Sequence, residues 1–180
     1  MDLDPKVIPT VVTLLLVIAA FTGMWVGWRR RTRRQEAQLP GLEPMPAVDQ
    51  LGDPMAAGHA LYVATTEADD PLNRITAGDL GFRAHATVRV HAQGVVVERD
   101  GAQPLFISKQ SLDGAGLENY AVDKGVEKGG LTGIDWRWGD REVTSFFRMR
   151  RPKDGPAIIT AVRTIAPPQS AARRARDLMF

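Results

Sequence analysis

The sequence predicts a mainly β fold with added helices (α+β), placed after a single N-terminal helix that crosses a membrane. Three features predict it: an uncharged apolar run at 7–28, a proline-rich stretch at 35–57, and two-residue alternation across much of 58–166. The 180 residues, 44% hydrophobic and 24% charged, have the size and composition of one globular domain with appendages. We therefore expect a membrane anchor (1–34), a linker (35–57), a folded domain (58–166) and a flexible basic tail (167–180).

The apolar run from Val7 to Trp28 holds 22 residues without a charge. A helix of this length, at about 1.5 Å per residue, crosses a bilayer core of about 30 Å. Trp25 and Trp28 lie at its end, where indole rings favour the headgroup layer. A cleaved signal peptide is the alternative, but the leader MDLDPK is net acidic and no small-residue cleavage pattern follows. The run therefore predicts a transmembrane helix.

An arginine cluster follows this helix and predicts its orientation. Residues 1–34 contain six bases and two acids, whereas residues 35–180 contain 17 bases and 19 acids. By the positive-inside rule, the protein is single-pass in the cell (inner) membrane, with its N-terminus outside and the folded domain cytoplasmic. Because the fold itself is slightly acidic, nucleic acid is not an expected partner. The flanking residues are Trp25, Trp28, Arg29, Arg30, Arg31, Arg33 and Arg34.

Two features of the anchor favour more than attachment to membrane lipid. Gly23 and Gly27 form a G-x-x-x-G spacing, which lets two helices approach closely and would support a homodimer. The arginines would also attract anionic headgroups. The simpler interpretation is that the glycines are incidental and that the arginines only set the topology.

The linker is rich in proline and lacks a sustained apolar period. Its prolines are Pro40, Pro44, Pro46 and Pro54. This composition predicts an extended tether that holds the domain away from the bilayer. The alternative is that part of it packs on the fold through Leu39, Leu42, Met45 and Val48.

The folded domain is expected to contain about six short antiparallel strands. The predicted strands are 58–66, 85–91, 95–98, 105–107, 131–138 and 141–150. Asp100-Gly101 and Gly139-Asp140 supply hairpin turns, and Ile134, Trp136 and Trp138 share one face. The segment that runs through Ser111, Gly114, Gly116 and Gly125 is interpreted as a glycine-rich connection.

Two helices are expected within the domain. Asp70-Pro71 is a start signal for a short helix, whose apolar face is Leu72, Ile75 and Leu80. Asp154-Gly155-Pro156 begins an amphipathic helix that Pro167-Pro168 ends; its apolar residues are Ile158, Ile159, Val162 and Ile165. Because this last segment is rich in β-branched residues, a strand is the alternative to this helix. A strongly bent sheet with a helix across its open end is a pleckstrin-homology (PH)-like barrel.

The order of features resembles the membrane-anchored PH-like domain proteins of actinobacteria. The resemblance depends on the single span, GWRRR, the proline-rich tether, LYVATTEADDPLNRITAGDLGFRAHATVRV, GVVVERDG and GIDWRWGDREVTSFFR. It covers most of the chain. Members of that family are labelled conserved membrane proteins or "transporters", so the resemblance implies a fold and a topology and no catalytic residue.

The sequence contains little that points to catalysis. With no cysteine, thiolate nucleophiles and cysteine metal sites are excluded. His59, His85 and His91 are expected at the surface, and Asp69, Asp70 and Asp79 lack the spacing of a calcium loop. Ser108 and Ser111 have no G-x-S-x-G context, and Gly125, Gly129, Gly130 and Gly133 spell no phosphate-binding loop. We expect no enzyme activity, no cofactor and no metal.

One basic cluster on the fold is a candidate contact for an anion or a partner: Arg148, Arg150, Arg151 and Lys153. A solvated strand end explains it equally well. Trp136 and Trp138 are expected in the core, although two aromatic side chains on one face also suit a binding surface.

These features together predict a noncatalytic single-pass membrane protein whose cytoplasmic PH-like domain recruits a protein partner. The alternative is an accessory subunit of a membrane transport or export complex. One helix without an intramembrane charge does not itself form a transport path.

Overall fold

The structure is a computed structural model that describes residues 7–38, 41–118 and 130–167. It contains two compact units, which are Met1–Gln38 and Leu39–Phe180. The expectations for Gly125, Gly129 and all but the first residue of the tail at 167–180 fall outside the described residues.

The first unit is helix α1, Val7–Gln38. Its segment Ile8–Arg30, 23 residues with a mean hydropathy of 2.1, is long and apolar enough to cross a membrane, a test that a signal sequence near the N-terminus also passes. The hydroxyls of Thr13 and Thr22 donate to the carbonyls of Pro9 and Ile18, which keeps both polar side chains satisfied along the helix. The helix continues to Gln38, so the expected tether does not begin at residue 35.

The second unit is one antiparallel sheet of seven strands with a C-terminal helix. The strand order is β4-β3-β2-β1-β7-β6-β5, so the first and last strands pair at its centre. The elements are α2 (Val48–Leu51), β1 (Ala56–Glu67), β2 (Ala84–His91), β3 (Gly94–Arg99), β4 (Leu105–Ser108), β5 (Leu112–Glu118), β6 (Leu131–Trp138), β7 (Arg141–Met149) and α3 (Asp154–Ile165). All six predicted strands and the predicted C-terminal helix are present.

The core lies on the concave face of this sheet. Alternate residues of each strand point inward, among them Val88, Val97, Ile134 and Phe147, and Trp136 stacks on Trp138 with ring centroids 5.9 Å apart. Helix α3 adds Ile158, Ile159 and Val162 to the same core. The side chain of Arg163 also donates to the carbonyl of Ala115, which ties α3 to β5. The two tryptophans are therefore core residues.

Strand β5 was not predicted from the sequence. Residues 112–118 pair with β6, where Gly114, Gly116 and Gly133 lie within the ladder. A Cβ at Gly133 would come within 2.5 Å of the Glu118 side chain, so glycine permits the close approach there. The segment expected to be a glycine-rich connection is thus an edge strand from Leu112 to Glu118.

The predicted helix after Asp70 is wrong. A carboxylate oxygen of Asp70 accepts from the backbone N–H of Leu72 at 3.1 Å, and the Asp70 carbonyl accepts from the backbone N–H of Asn73 at 2.9 Å. These bonds form a turn, and no helix follows it. The chain then makes one short 3₁₀ turn, Ala77–Asp79, in which Gly78 has φ +61°. Ile75 and Leu80 are buried, but Leu72 is 71% exposed.

Part of the expected tether packs on the domain, and we call residues 41–55 the strap. Leu51 is 6% exposed and packs against Val96 and Phe106, on the convex face of the sheet. The Glu43 carboxylate accepts from the Ser108 backbone N–H, at 3.2 Å, and from the Ser111 hydroxyl, at 2.7 Å. For the strap, the structure agrees with the alternative interpretation, in which part of the linker packs on the fold.

The strap also changes the position of one histidine. His91 is 5% exposed, and its Nδ1 lies 3.1 Å from the carbonyl oxygen of Gly52. The expectation that all three histidines lie at the surface is therefore wrong for His91, because the strap covers this strand end.

The buried side chain of Arg99 connects two turns of the fold. Its guanidinium lies 5.4 Å over the Tyr62 ring and donates to the carbonyls of Asp79, Gly78 and Gln103. These bonds hold the 3₁₀ turn and the β3–β4 turn together. The side chain is 5% exposed, so this cation serves the fold rather than a surface.

Candidate binding groove on the convex face of the sheet

A groove of about 720 Å³ crosses the convex face where β2, β1 and β7 lie side by side. The register builds it from two rows. In the first row Leu61 of β1 is opposite both His85 of β2 and Arg148 of β7. In the second row His59 is opposite Thr87, and its carbonyl accepts from the backbone N–H of Arg150. The central strand thus brings side chains from three distant parts of the chain together.

The two arginines form the basic side of the groove. Arg148 and Arg150 are exposed, and neither side chain has a hydrogen bond or an ion pair within the described residues. Other described arginines are engaged: Arg89 pairs with Glu98 at 2.7 Å, and Arg141 pairs with Glu67. The groove therefore presents two guanidinium groups with their donors free for an anion.

Two imidazoles also line the groove, His59 on the central strand β1 and His85 on β2. His59 and His85 are exposed, as expected from the sequence. The Nδ1 atom of His59 lies 3.2 Å from the Thr87 hydroxyl, which orients the ring and leaves Nε2 toward other contacts. Asp100 closes the end beside His85, because its backbone N–H donates to the His85 carbonyl at 2.9 Å. One carboxylate thus marks one end of a mostly basic groove.

The predicted basic cluster divides in the structure. Arg148 and Arg150 line the groove, but Arg151 and Lys153 do not. Arg151 donates to the Asp154 carboxylate at 3.1 Å, at the start of α3. Lys153 is the exposed residue that precedes that helix. Two of the four candidate residues therefore face a common cavity.

Other, smaller cavities lie elsewhere in the described part of the domain. One, of about 360 Å³, lies beside the strap, and the serine hydroxyls there donate to the Glu43 carboxylate. Another, of about 530 Å³, is lined by Glu67, Asp69, Asp140, Arg141 and Glu142. Within the described ranges, no group of three or more histidine, aspartate or glutamate side chains is placed to hold a metal ion.

The anchor residues lie along the exposed surface of α1. Trp25 is 54% exposed, and the Arg29 guanidinium lies 5.0 Å from its ring centroid, a cation–π contact at the end of the apolar segment. A Cβ added at Gly23 or Gly27 would meet no atom within 4 Å. The side chains of Arg31, Arg33 and Arg34 fall outside the described residues.

Sequence reasoning found the arginines of the groove and missed its histidines. The alternation of Arg148 and Arg150 is visible in the sequence, but the two histidines lie about sixty to ninety residues earlier in the chain. Only the pairing of β1 with both β2 and β7 brings them together. No local pattern in the sequence predicts that pairing.

An antiparallel barrel whose end is covered by a C-terminal helix defines a PH-like domain, the class of fold that serves protein and lipid interaction and is generally noncatalytic. The family model described as "Bacterial PH domain-like" matches residues 39–163. The chain belongs to that family. The match begins two residues before the strap and ends in α3, so it includes most of the stretch expected to be a free linker.

The chain is also similar, at low identity, to parts of larger solved structures. They include the apo structure of the activated truncation of Vav1 (11% identity, TM-score 0.41) and Vav1 inhibited by an allosteric inhibitor (13% identity, TM-score 0.39). The matches cover 76% and 77% of this chain, which spans about a third of the length of those chains, 31% and 33%. No curated protein matches the sequence.

Proposed function

We propose that this chain is a noncatalytic single-pass membrane protein whose PH-like domain lies in the cytoplasm and recruits a protein partner to the membrane. The observation that carries the proposal is the groove with two arginines that have no side-chain partner among the described residues, on a chain that also has a 23-residue apolar helix. An interaction domain gains local concentration at a surface when it is anchored there.

The orientation is supported by charge. Arg29 and Arg30 end the apolar segment, and three further arginines follow within four residues. A cluster of this kind favours the cytoplasmic side and its anionic headgroups. The resemblance to anchored PH-like proteins of actinobacteria supports the same arrangement.

The second candidate is an accessory subunit of a membrane transport or export complex. The open glycine face at Gly23 and Gly27 favours contact with another helix, either a second copy or a different span. In that case the span, rather than the domain, would make the stable contacts.

The test is crosslinking of the full-length protein in native membranes, followed by mass spectrometry, beside a variant that lacks residues 1–34. Recruitment predicts a reproducible soluble partner crosslinked through residues 58–166. Crosslinks concentrated in residues 7–34, to other membrane proteins or to the protein itself, would support the complex subunit and overturn recruitment.

A further inference from the structure

The spacing of the arginines in the groove indicates the shape of its ligand. Arg148 is in β7, and Arg150 follows the last residue of that strand with its backbone N–H still bonded to the His59 carbonyl. Both side chains line the groove, and backbone positions two residues apart in an extended chain are separated by about 6.7 Å. Alternate side chains of an extended peptide have the same separation. Two carboxylates at positions i and i+2 of such a peptide would therefore each lie opposite one of the two guanidinium groups.

We propose that the groove binds an extended acidic segment of a partner protein, in which carboxylate side chains alternate with neutral ones. The proposal rests on the recruitment function and names the chemistry of the partner. Arginine pairs with a carboxylate through two parallel hydrogen bonds, and neither guanidinium has to give up an existing partner among the described residues.

The rest of the groove agrees with a peptide lying across the face. His59 and His85 lie one row apart, beside Leu61, and offer ring nitrogens to polar backbone groups of the ligand. Asp100 repels a carboxylate beside His85, so the acidic positions are directed toward β7.

A membrane surface fits the groove less well. The described large apolar side chains of the domain that are most exposed, Leu72, Leu117, Met55 and Phe82, do not line it. A recessed cavity of about 720 Å³ with a carboxylate at one end suits a narrow chain better than a flat layer of headgroups.

The test uses the full-length protein in a neutral detergent and fluorescence anisotropy of labelled peptides. One peptide alternates glutamate with threonine, and its isomer has the same composition with the glutamates in one block. The variant is Arg148→Gln with Arg150→Gln, and the matched control is Lys109→Gln with Lys153→Gln, which removes two exposed charges outside the groove. Circular dichroism checks that both variants remain folded.

The alternating peptide is expected to bind, to lose affinity by about tenfold or more in the arginine variant, and to keep it in the lysine control. The block isomer is expected to bind several-fold more weakly. Equal loss in both variants, or equal binding of both peptides, would overturn the proposal, as would arginine-dependent binding to phosphatidylglycerol vesicles without peptide binding.

The crosslinking experiment separates this proposal from the recruitment function. A soluble partner captured equally well by the arginine variant would overturn the acidic-segment proposal and leave recruitment standing. Loss of that partner in the arginine variant alone would support both.

Discussion

The Tyr62 hydroxyl donates a hydrogen bond to the backbone carbonyl of Leu80, 2.7 Å away inside the barrel. Because a phenol has one proton, Thr65 must donate to Tyr62, and Ser145 must in turn donate to Thr65; both contacts measure 2.7 Å. The Trp136 indole N–H donates to Ser145 at 3.0 Å. A directed chain of buried hydrogen bonds thus joins β6, β7 and β1 to the loop before β2.

Tyr62→Phe removes the hydroxyl that joins this series of hydrogen bonds to the Leu80 carbonyl. The buried Leu80 carbonyl and Thr65 hydroxyl would each lose a partner, so we expect the free energy of unfolding to fall by about 1–3 kcal/mol. Urea denaturation measures it. Thr164→Val, which removes an exposed hydroxyl bonded only within α3, is the control and should change stability by less than about 0.5 kcal/mol. A Tyr62→Phe protein as stable as the wild type would show that these buried hydrogen bonds do not contribute to stability as expected.

We expect the same tyrosine to lower the free energy of unfolding at alkaline pH. Burial raises the pKa of Tyr62 above its ordinary value, the effect of the Thr65 hydrogen bond and the Arg99 charge being smaller and opposite. The unfolded state therefore releases the phenolic proton from about pH 10 upward while the folded state keeps it. The stability that this difference contributes is complete below pH 10 and falls by about 1.4 kcal/mol per pH unit above it. Urea denaturation from pH 8 to pH 11 should show a steeper alkaline fall for wild type than for Tyr62→Phe, and identical slopes would contradict the prediction.

Leu51→Ala tests whether the strap belongs to the fold. Leu51 is buried between Val96 and Phe106, so truncation should lower the free energy of unfolding by about 2–4 kcal/mol. Met55, 53% exposed in the same segment, provides the control: Met55→Ala should cost less than about 0.5 kcal/mol. Equal, small effects in thermal or urea denaturation would mean that the segment is a free tether.

Gly94→Ala tests the approach of β3 to β4. Gly94 has φ +155°, and a Cβ there would come within 2.2 Å of the Ile107 carbonyl oxygen. We expect a loss of about 2 kcal/mol or more, since the backbone of β4 would have to move. Gly101, with φ +76° and open space around it, is the matched control; Gly101→Ala should cost only the strain of about 1 kcal/mol. Equal losses would show that the contact with Ile107 has no effect.

The elements predicted correctly have signals that are local in the sequence. The β6–β7 hairpin turns at Gly139-Asp140 as expected, with Trp138 opposite Arg141, because alternation and a two-residue turn fix that register together. Helix α3 begins at Asp154 as predicted. The apolar run of α1 needs only composition and length.

The elements missed depend on distant packing. Strand β5 was missed because Gly114 and Gly116 interrupt the apolar alternation that marks a strand in a sequence. The Asp70-Pro71 signal fits a turn as well as a helix, and the chain follows the turn because Ile75 donates its backbone N–H to Thr65 in β1. The candidate groove needed the β1–β7 pairing, which joins residues from opposite ends of the domain.

Labelling of introduced cysteines tests the proposed orientation of the protein in the membrane, because the sequence contains no cysteine to interfere. We expect Asp4→Cys to react with a membrane-impermeant maleimide in intact spheroplasts, since the arginines after the apolar segment favour the cytoplasmic side. Lys109→Cys, at an exposed position of the domain, should react only after permeabilisation, and its labelling in lysed cells is the control for reactivity. The reverse pattern would place the domain outside and would overturn recruitment of a cytoplasmic partner. Reaction of Lys109→Cys together with complete loss of residues 1–28 would instead mean that the apolar helix is a cleaved signal sequence.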